Sequence, residues 1–422
     1  LGSELSGPFF LVQLKAHPKC IFIAIGSELL SGDVLESNAH WLQNQIKHLE
    51  IEMIRVEILE DKLSTLVAAI KNCLGEADVL IISGGLGPTD DDITREAVSK
   101  ATEKPLYFNP EVWVEIQNIF KKRNKQAGKS NEKQALQPED SNVLSNPLGT
   151  APGFELMVGG TTIMTFPGVP SEFYAMAQKH LFSKYNAITA PAHFKLWGIG
   201  ESDLMDLIHA KKLIPTDLPW GTIARKEGLS LRFYREATSH PKYLETLESV
   251  KTSLEQFIFT DQDLNPLELL AQKALELKIK LGLAESCTGG LVSQLFTNIP
   301  GSSNFFQGSI VAYQNEIKTS LLQVSEKILE NHGAVSPECA EAMAHGCSKS
   351  LKSDLSLSVT GIAGPGGGSE AKPVGTVYIG VHYQNKTRHK HLKLNGTRQD
   401  IRERSVYSLC ILALDLLKEI HG

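Results

Sequence analysis

Ala284-Glu285-Ser286-Cys287-Thr288-Gly289-Gly290 sets a serine where an apolar run gives way to a helix-forming one. A hydroxyl at such a strand-to-helix turn stands at the end of a sheet beside helix N-terminal amides. One turn can then supply both a nucleophile and an oxyanion hole. No histidine occupies a matching turn nearby. Instead Tyr313-Gln314-Asn315-Glu316-Ile317-Lys318 follows the end of the next apolar run. A desolvated lysine there can serve as general base to the serine hydroxyl. The competing, purely structural reading makes Ser286 a helix N-cap and Lys318 a solvated helix residue.

Two further clusters carry chemistry. Gly26-Ser27-Glu28 through Asp33, with Asn38, precedes Ser83-Gly84-Gly85-Leu86-Gly87-Pro88-Thr89-Asp90-Asp91-Asp92-Ile93-Thr94. Glycine turns after buried strands let backbone amides approach a phosphate, and Glu28, Asp91 and Asp92 are hard oxygen ligands suited to Mg²⁺. The alternative is that the glycines only turn the chain and the aspartates cap a helix near Ile93. The second cluster runs from Thr360-Gly361-Ile362-Ala363-Gly364 to Ser369, with five glycines in ten residues. It suits a loop around an anion or a sugar, or a loop that is merely flexible. Arg398 opens the last helix and can meet a phosphate or carboxylate bidentately. His389-Lys390-His391 has the spacing of a strand face and not of a metal site.

The elements that must position these residues alternate in type. Cys20–Gly26 and Val79–Ser83 read as strands buried on both faces, Met53–Leu59 as an alternating strand, and Asn38–Leu49 and Leu63–Leu74 as helices. That rhythm predicts a parallel-rich sheet between helical layers, with ligands outside the carboxyl ends of the strands. Residues 193–260 read as a small α+β unit. Asn265-Pro266 caps a helix, and a second α/β domain follows. Its strands are Lys280–Ala284, Gly308–Tyr313, Leu355–Thr360 and Gly375–Val381. Its helices are Gly289–Asn298, one starting at Ser336-Pro337, and a closing one over Thr397–Ile420. The expected fold is α/β, two three-layer domains joined by a small α+β domain. The expected boundaries are a leading extension, natural or added, over 1–19, then domains over 20–185, 186–260 and 261–422.

At 422 residues the length fits two to three domains. A net charge of −6 and no stripe of aromatic and basic residues argue against nucleic acid as the main partner. No apolar run approaches the roughly 18 residues of a membrane span, and a secretory signal is not expected. Six cysteines without a CxxC pair read as buried, reduced side chains in a reducing, cytoplasmic setting, with no zinc site.

Taken together, GSELLSG and SGGLGPT-DDDIT, then AESCTGG, YQNEIK, GAVS, TGIAGPGGGS and KPVGTVY, resemble the CinA family (competence/damage-inducible protein A) over residues 20–422. The first pair resembles a molybdopterin-binding-like domain, and the rest a nicotinamide-nucleotide amidase domain. The middle unit would correspond to a KH-like domain. The resemblance implies a bifunctional hydrolase of NAD recycling. The C-terminal domain would convert nicotinamide mononucleotide to nicotinic acid mononucleotide and ammonia, without a cofactor. The N-terminal domain would act as an ADP-ribose pyrophosphatase, giving AMP and ribose 5-phosphate, with Mg²⁺ or a similar divalent metal and K⁺ alongside. Carried over by residue, Ser286 is the nucleophile, Lys318 its base and Tyr313 an assisting hydroxyl. Thr288, Gly289, Thr360, Gly361, Gly364 and Arg398 bind the mononucleotide. Gly26, Glu28, Asn38, Gly84, Gly85, Gly87 and Thr89 bind the other substrate, and Asp91 and Asp92 the metal. A homodimer is implied. The alternative is that only the amidase is active and the N-terminal domain is a pterin- or nucleotide-binding module.

Overall fold

Along Cys20-Ile21-Phe22-Ile23-Ala24-Ile25 every side chain is buried, which a strand achieves only with a packed layer on each face. The structure, a computed structural model that describes residues 17–188 and 190–422, contains both layers. Ile21, Ile23 and Ile25 enter one core with the helices Leu63–Cys73 and Thr94–Thr102. Cys20, Phe22 and Ala24 enter another with the helices Asn38–Ile46 and Pro170–His180. Residues 1–16, most of the expected extension, lie outside the described residues.

The chain divides between Ala190 and Pro191 into two compact units. In the first, β1 (Lys19–Ile25), β2 (Glu52–Leu59) and β3 (Val79–Ser83) run parallel in the order β2-β1-β3. β4 (Leu106–Phe108) and β5 (Leu136–Pro138) pair as a separate antiparallel ribbon. β6 (Asn142–Leu144), β7 (Gly153–Val158) and β8 (Thr161–Phe166) complete the main sheet, β2-β1-β3-β8-β7-β6, with β8 parallel to β3 and the last two antiparallel.

The second unit holds two sheets. β9 (His193–Leu196), β10 (Trp220–Arg225), β11 (Gly228–Phe233) and β12 (Ile258–Thr260) form an antiparallel sheet in the order β10-β11-β9-β12. The helices Glu201–Lys211 and Tyr243–Leu254 bury Leu204, Ile208, Val250 and Leu254 in the core of this small sheet. Asn265 then caps the next helix, as expected: its side chain accepts from the amides of Leu267 and Glu268, while Glu268 reaches back to the Asn265 amide. β13 (Leu281–Glu285), β14 (Phe306–Val311), β15 (Leu355–Gly361), β16 (Thr376–Tyr383) and β17 (Lys386–Lys393) build the larger sheet, ordered β14-β13-β15-β16-β17. Its first three strands are parallel and the last two antiparallel. The fold is thus the expected α/β class with parallel-rich sheets.

Both large sheets share a topological consequence. From β1 the chain moves to β2 on one side and to β3 on the other, and from β13 to β14 on one side and to β15 on the other. The crossovers therefore diverge at the carboxyl ends of β1 and β13, where doubly wound sheets open a crevice. The glycine-rich motifs lie at the carboxyl ends of β1 and β13 and of their neighbours β3 and β15. Among the described residues no helix is long and apolar enough to cross a membrane.

Candidate active site

At the end of β13 the turn reverses through Gly289 and Gly290, whose φ values of 57° and 94° fall in the left-handed region that glycine tolerates. The helix consequently begins at Leu291, two residues later than expected, with Gly290 as its N-cap. Ser286 is therefore no N-cap. Its amide donates to the carbonyl of Val359 on neighbouring β15 (2.9 Å), which fixes the nucleophile candidate to the sheet.

Lys318 arrives from the helix Asn315–Leu322, which follows β14. Its Nζ lies 3.2 Å from Ser286 Oγ and donates to the carbonyls of Ala312 (2.7 Å) and Tyr313 (3.1 Å). Lys318 is 1% exposed and Ser286 8%. The solvated-lysine reading is overturned. Burial lowers the Lys318 pKa from its ordinary value, with the Cys339 and Cys287 thiols and Glu316 pulling weakly the other way. Cys287, the adjacent thiol, is pushed up to about 12 by burial, so it offers little thiolate near neutral pH.

Two expectations need correction. The helix N-terminal amides do not form an oxyanion hole, because the buried Glu285 carboxylate occupies them. It accepts from the amides of Gly290 (2.9 Å), Val292 (3.1 Å) and Ser293 (2.9 Å) and from the Ser293 hydroxyl (2.5 Å). The Cys287 and Thr288 amides are left without a backbone or carboxylate acceptor, and the fully buried Thr288 hydroxyl has no partner at all. Those groups, next to Ser286, are the donors that remain. Nor is Tyr313 placed to assist through its hydroxyl. The residue is 56% exposed, its hydroxyl meets Arg398 Nη2 at 3.5 Å, and it is its carbonyl that accepts from Lys318.

The other mononucleotide candidates surround this turn. Thr360 Oγ1 donates to Ala334 O (2.7 Å) and so ties down the preceding loop. A Cβ on Gly361 would approach Val377 and the Thr376 carbonyl within 2.8 Å, so its role is close packing. Arg398 Nη1 donates to Gly364 O (2.6 Å). One helical turn on, Arg402 Nη2 donates to Thr288 O (2.6 Å). Sequence reading missed Glu285 and Arg402. A carboxylate closing an apolar strand and two arginines spaced i,i+4 were the available signals.

Glu285→Ala leaves one buried amide, two part-buried amides and a hydroxyl without their acceptor. It is expected to cost about 3 kcal/mol or more, measured as a lower urea midpoint at unchanged m. A loss under about 1 kcal/mol would mean that water replaces the carboxylate there.

In the first unit a cleft of about 520 Å³ opens between the ends of β1 and β3. Gly26, Glu28, Asn38, Gly84, Gly85, Gly87, Asp91 and Asp92 all line it, and so do Glu36, Asp61 and Glu172, which sequence reading did not single out. Asn38 is buried, and its Nδ2 donates to Ser83 Oγ (3.0 Å) and Gly168 O (2.8 Å). Gly84 has φ 108°, and a Cβ there would meet the Ile25 carbonyl oxygen at 2.3 Å. Only glycine allows the two strand ends to close so tightly. Thr89 is exposed, and its amide and hydroxyl both donate to Asp92 Oδ2, the amide at 2.9 Å. Asp92 therefore braces the turn and does not cap the helix, whose N-cap is Ile93.

Among the described residues no group of three or more His, Cys, Asp or Glu is arranged to hold a metal ion. Mg²⁺ bound with substrate phosphates needs only one or two protein carboxylates, and Asp91 and Asp92 on the cleft wall supply that number. All six cysteines are free and buried.

Residues 265–420 match the family described as CinA C-terminal domain, and residues 21–186 the family described as probable molybdopterin binding domain. The chain is 35% identical over 415 residues to a putative competence-damage inducible protein of Alkaliphilus metalliredigens, covering 95% of this chain and 100% of that one. It is 36% identical over 405 residues to a CinA-like protein of Thermotoga neapolitana, covering 95% and 98%. Among solved structures, competence/damage inducible protein CihA of Agrobacterium tumefaciens is 35% identical, covers 37% of this chain and 99% of that one, and superposes with a TM-score of 0.34.

Proposed function

The chain belongs to the CinA family, and from that premise we propose that its C-terminal domain is a serine-lysine amidase acting on nicotinamide mononucleotide. The observation that carries the reading is the buried Ser286–Lys318 pair, 3.2 Å apart, at the crevice of the larger sheet. Ser286 Oγ attacks the carboxamide carbon while neutral Lys318 takes its proton. The amides of Cys287 and Thr288 face the developing oxyanion. Lys318 then returns the proton to the departing nitrogen, which leaves as ammonia. Water, deprotonated by the same lysine, hydrolyses the acyl-enzyme to nicotinic acid mononucleotide and restores Ser286. Arg398 and Arg402 flank the turn from the last helix and suit the 5′-phosphate. The test is to incubate the purified chain with nicotinamide mononucleotide and identify the products. Unchanged substrate would sink the reading.

For the first unit the proposal is metal-dependent cleavage of ADP-ribose to AMP and ribose 5-phosphate in the cleft between β1 and β3. Asp91 and Asp92 would hold the divalent ion, which when bound polarises a phosphoryl oxygen. Gly84, Gly85 and Gly87 keep the turn free of side chains that would crowd a diphosphate. Asp92→Asn keeps shape but removes charge, so ADP-ribose cleavage is expected to fall at least about 100-fold and amide hydrolysis to stay unchanged. A chelator should act likewise on the two reactions. The engagement of Asp92 by Thr89 favours a second reading, in which this cleft only binds a pterin or nucleotide. Ligand binding without turnover at any divalent ion would select it.

A further inference from the structure

Lys226, in the tight turn between β10 and β11 of the small sheet, reaches the first two turns of the last helix, Arg398–His421. Its Nζ lies 2.7 Å from Asp400 Oδ1 and 2.6 Å from Glu403 Oε2. The same two turns carry Arg398, which donates to Gly364 O, and Arg402, which donates to Thr288 O two residues after Ser286. Asp400 and Glu403 are thus two carboxylates set among the cations proposed to receive the substrate phosphate. Left alone, they would compete with that phosphate for the guanidiniums and repel it directly. Each is instead held elsewhere. Asp400 Oδ2 accepts from the amide (2.9 Å) and hydroxyl (2.6 Å) of Thr397 in a capping box, and the other Glu403 oxygen accepts from Gln399. Lys226 binds the remaining oxygen of both.

We infer that Lys226 is a positioning residue for substrate recognition: it engages Asp400 and Glu403, so that Arg398 and Arg402 stay available to a phosphate and the helix start presents less negative charge to it. The inference rests on the proposed amidase reading. It assigns the small antiparallel sheet a part in that reaction, through one side chain that touches no substrate. Since the Lys226 side chain is 41% exposed and stands in a turn, its replacement should leave folding intact.

The experiment measures steady-state kinetics of Lys226→Met, Lys226→Glu and Lys226→Arg in the full chain. Substrates are nicotinamide mononucleotide and its phosphate-free analogue nicotinamide riboside, each at low salt and at about 1 M salt. At low salt the KM for the mononucleotide should rise roughly three- to ten-fold in Lys226→Met and further in Lys226→Glu, as expected for unmasked charges within a Debye length. Lys226→Arg should stay near wild type, and kcat should change less than about two-fold throughout. The rise should disappear at about 1 M salt, where charges are screened within about 3 Å, and should be absent for the riboside. An unchanged KM in Lys226→Glu overturns the inference. So does an equal rise for both substrates, or a fall in kcat alone, since each would mean that Lys226 acts through general packing. If the wild type itself hydrolyses neither substrate, it is the amidase reading that fails.

Discussion

Ser286→Ala should lower ammonia release from nicotinamide mononucleotide by about 10⁴-fold or more, as removal of a covalent nucleophile does, with thermal unfolding near wild type. The hydroxyl caps no helix, so its deletion loses only the contact with Lys318 Nζ. The Ser286 amide, which holds the turn to β15, is retained in alanine. The control is Cys287→Ala. That thiol is buried, with its pKa pushed up to about 12, and lies in the core with Leu283 and Val359. Its removal should cost packing but keep turnover within about ten-fold of wild type. If Cys287→Ala abolishes activity while Ser286→Ala leaves it, the nucleophile has been misassigned.

Lys318→Arg is expected to be as inactive as Lys318→Ala, again by about 10⁴-fold or more. An arginine keeps positive charge but cannot deprotonate at working pH, and its guanidinium is bulkier than a site closed by Ala312 O, Tyr313 O and Ser286 Oγ permits. The wild-type rate carries its own signature. Burial lowers the Lys318 pKa, so the neutral, base-competent form gains population as pH rises through an ionisation below the ordinary lysine value. The rate should therefore climb with pH through that ionisation and level off above it. Folding stability follows the same sign. Below the folded pKa the chain bears the full cost of a buried ammonium, and that cost fades as pH rises toward the unfolded lysine pKa. A rate that falls with pH over this window, or near-normal turnover by Lys318→Arg, would assign Lys318 a purely electrostatic role and leave the base elsewhere.

The sequence by itself determined the elements and the identity of the catalytic candidates. Fully apolar runs such as Val79–Ser83 make sense only as strands covered on both faces, and Asn265-Pro266 and Ser336-Pro337 announce helix starts through local hydrogen bonds. These are short-range effects, so they can be read from neighbouring residues. The motif order further marked Ser286 and Lys318, 32 residues apart, as partners. What it did not carry was the surroundings of each group. Whether Lys318 is solvated or buried depends on β13 and β14 being neighbours, a pairing that nothing local to either strand encodes. The expected oxyanion hole failed because Glu285 turns inward to the helix amides, a choice made by the whole turn's hydrogen-bond balance. Tyr313 likewise points its carbonyl, not its hydroxyl, at the lysine. Strand order, burial and side-chain direction are set by contacts between segments distant in the chain. Only the tertiary structure decided them, because the free energy that fixes each one belongs to the packed assembly and not to any single stretch of residues.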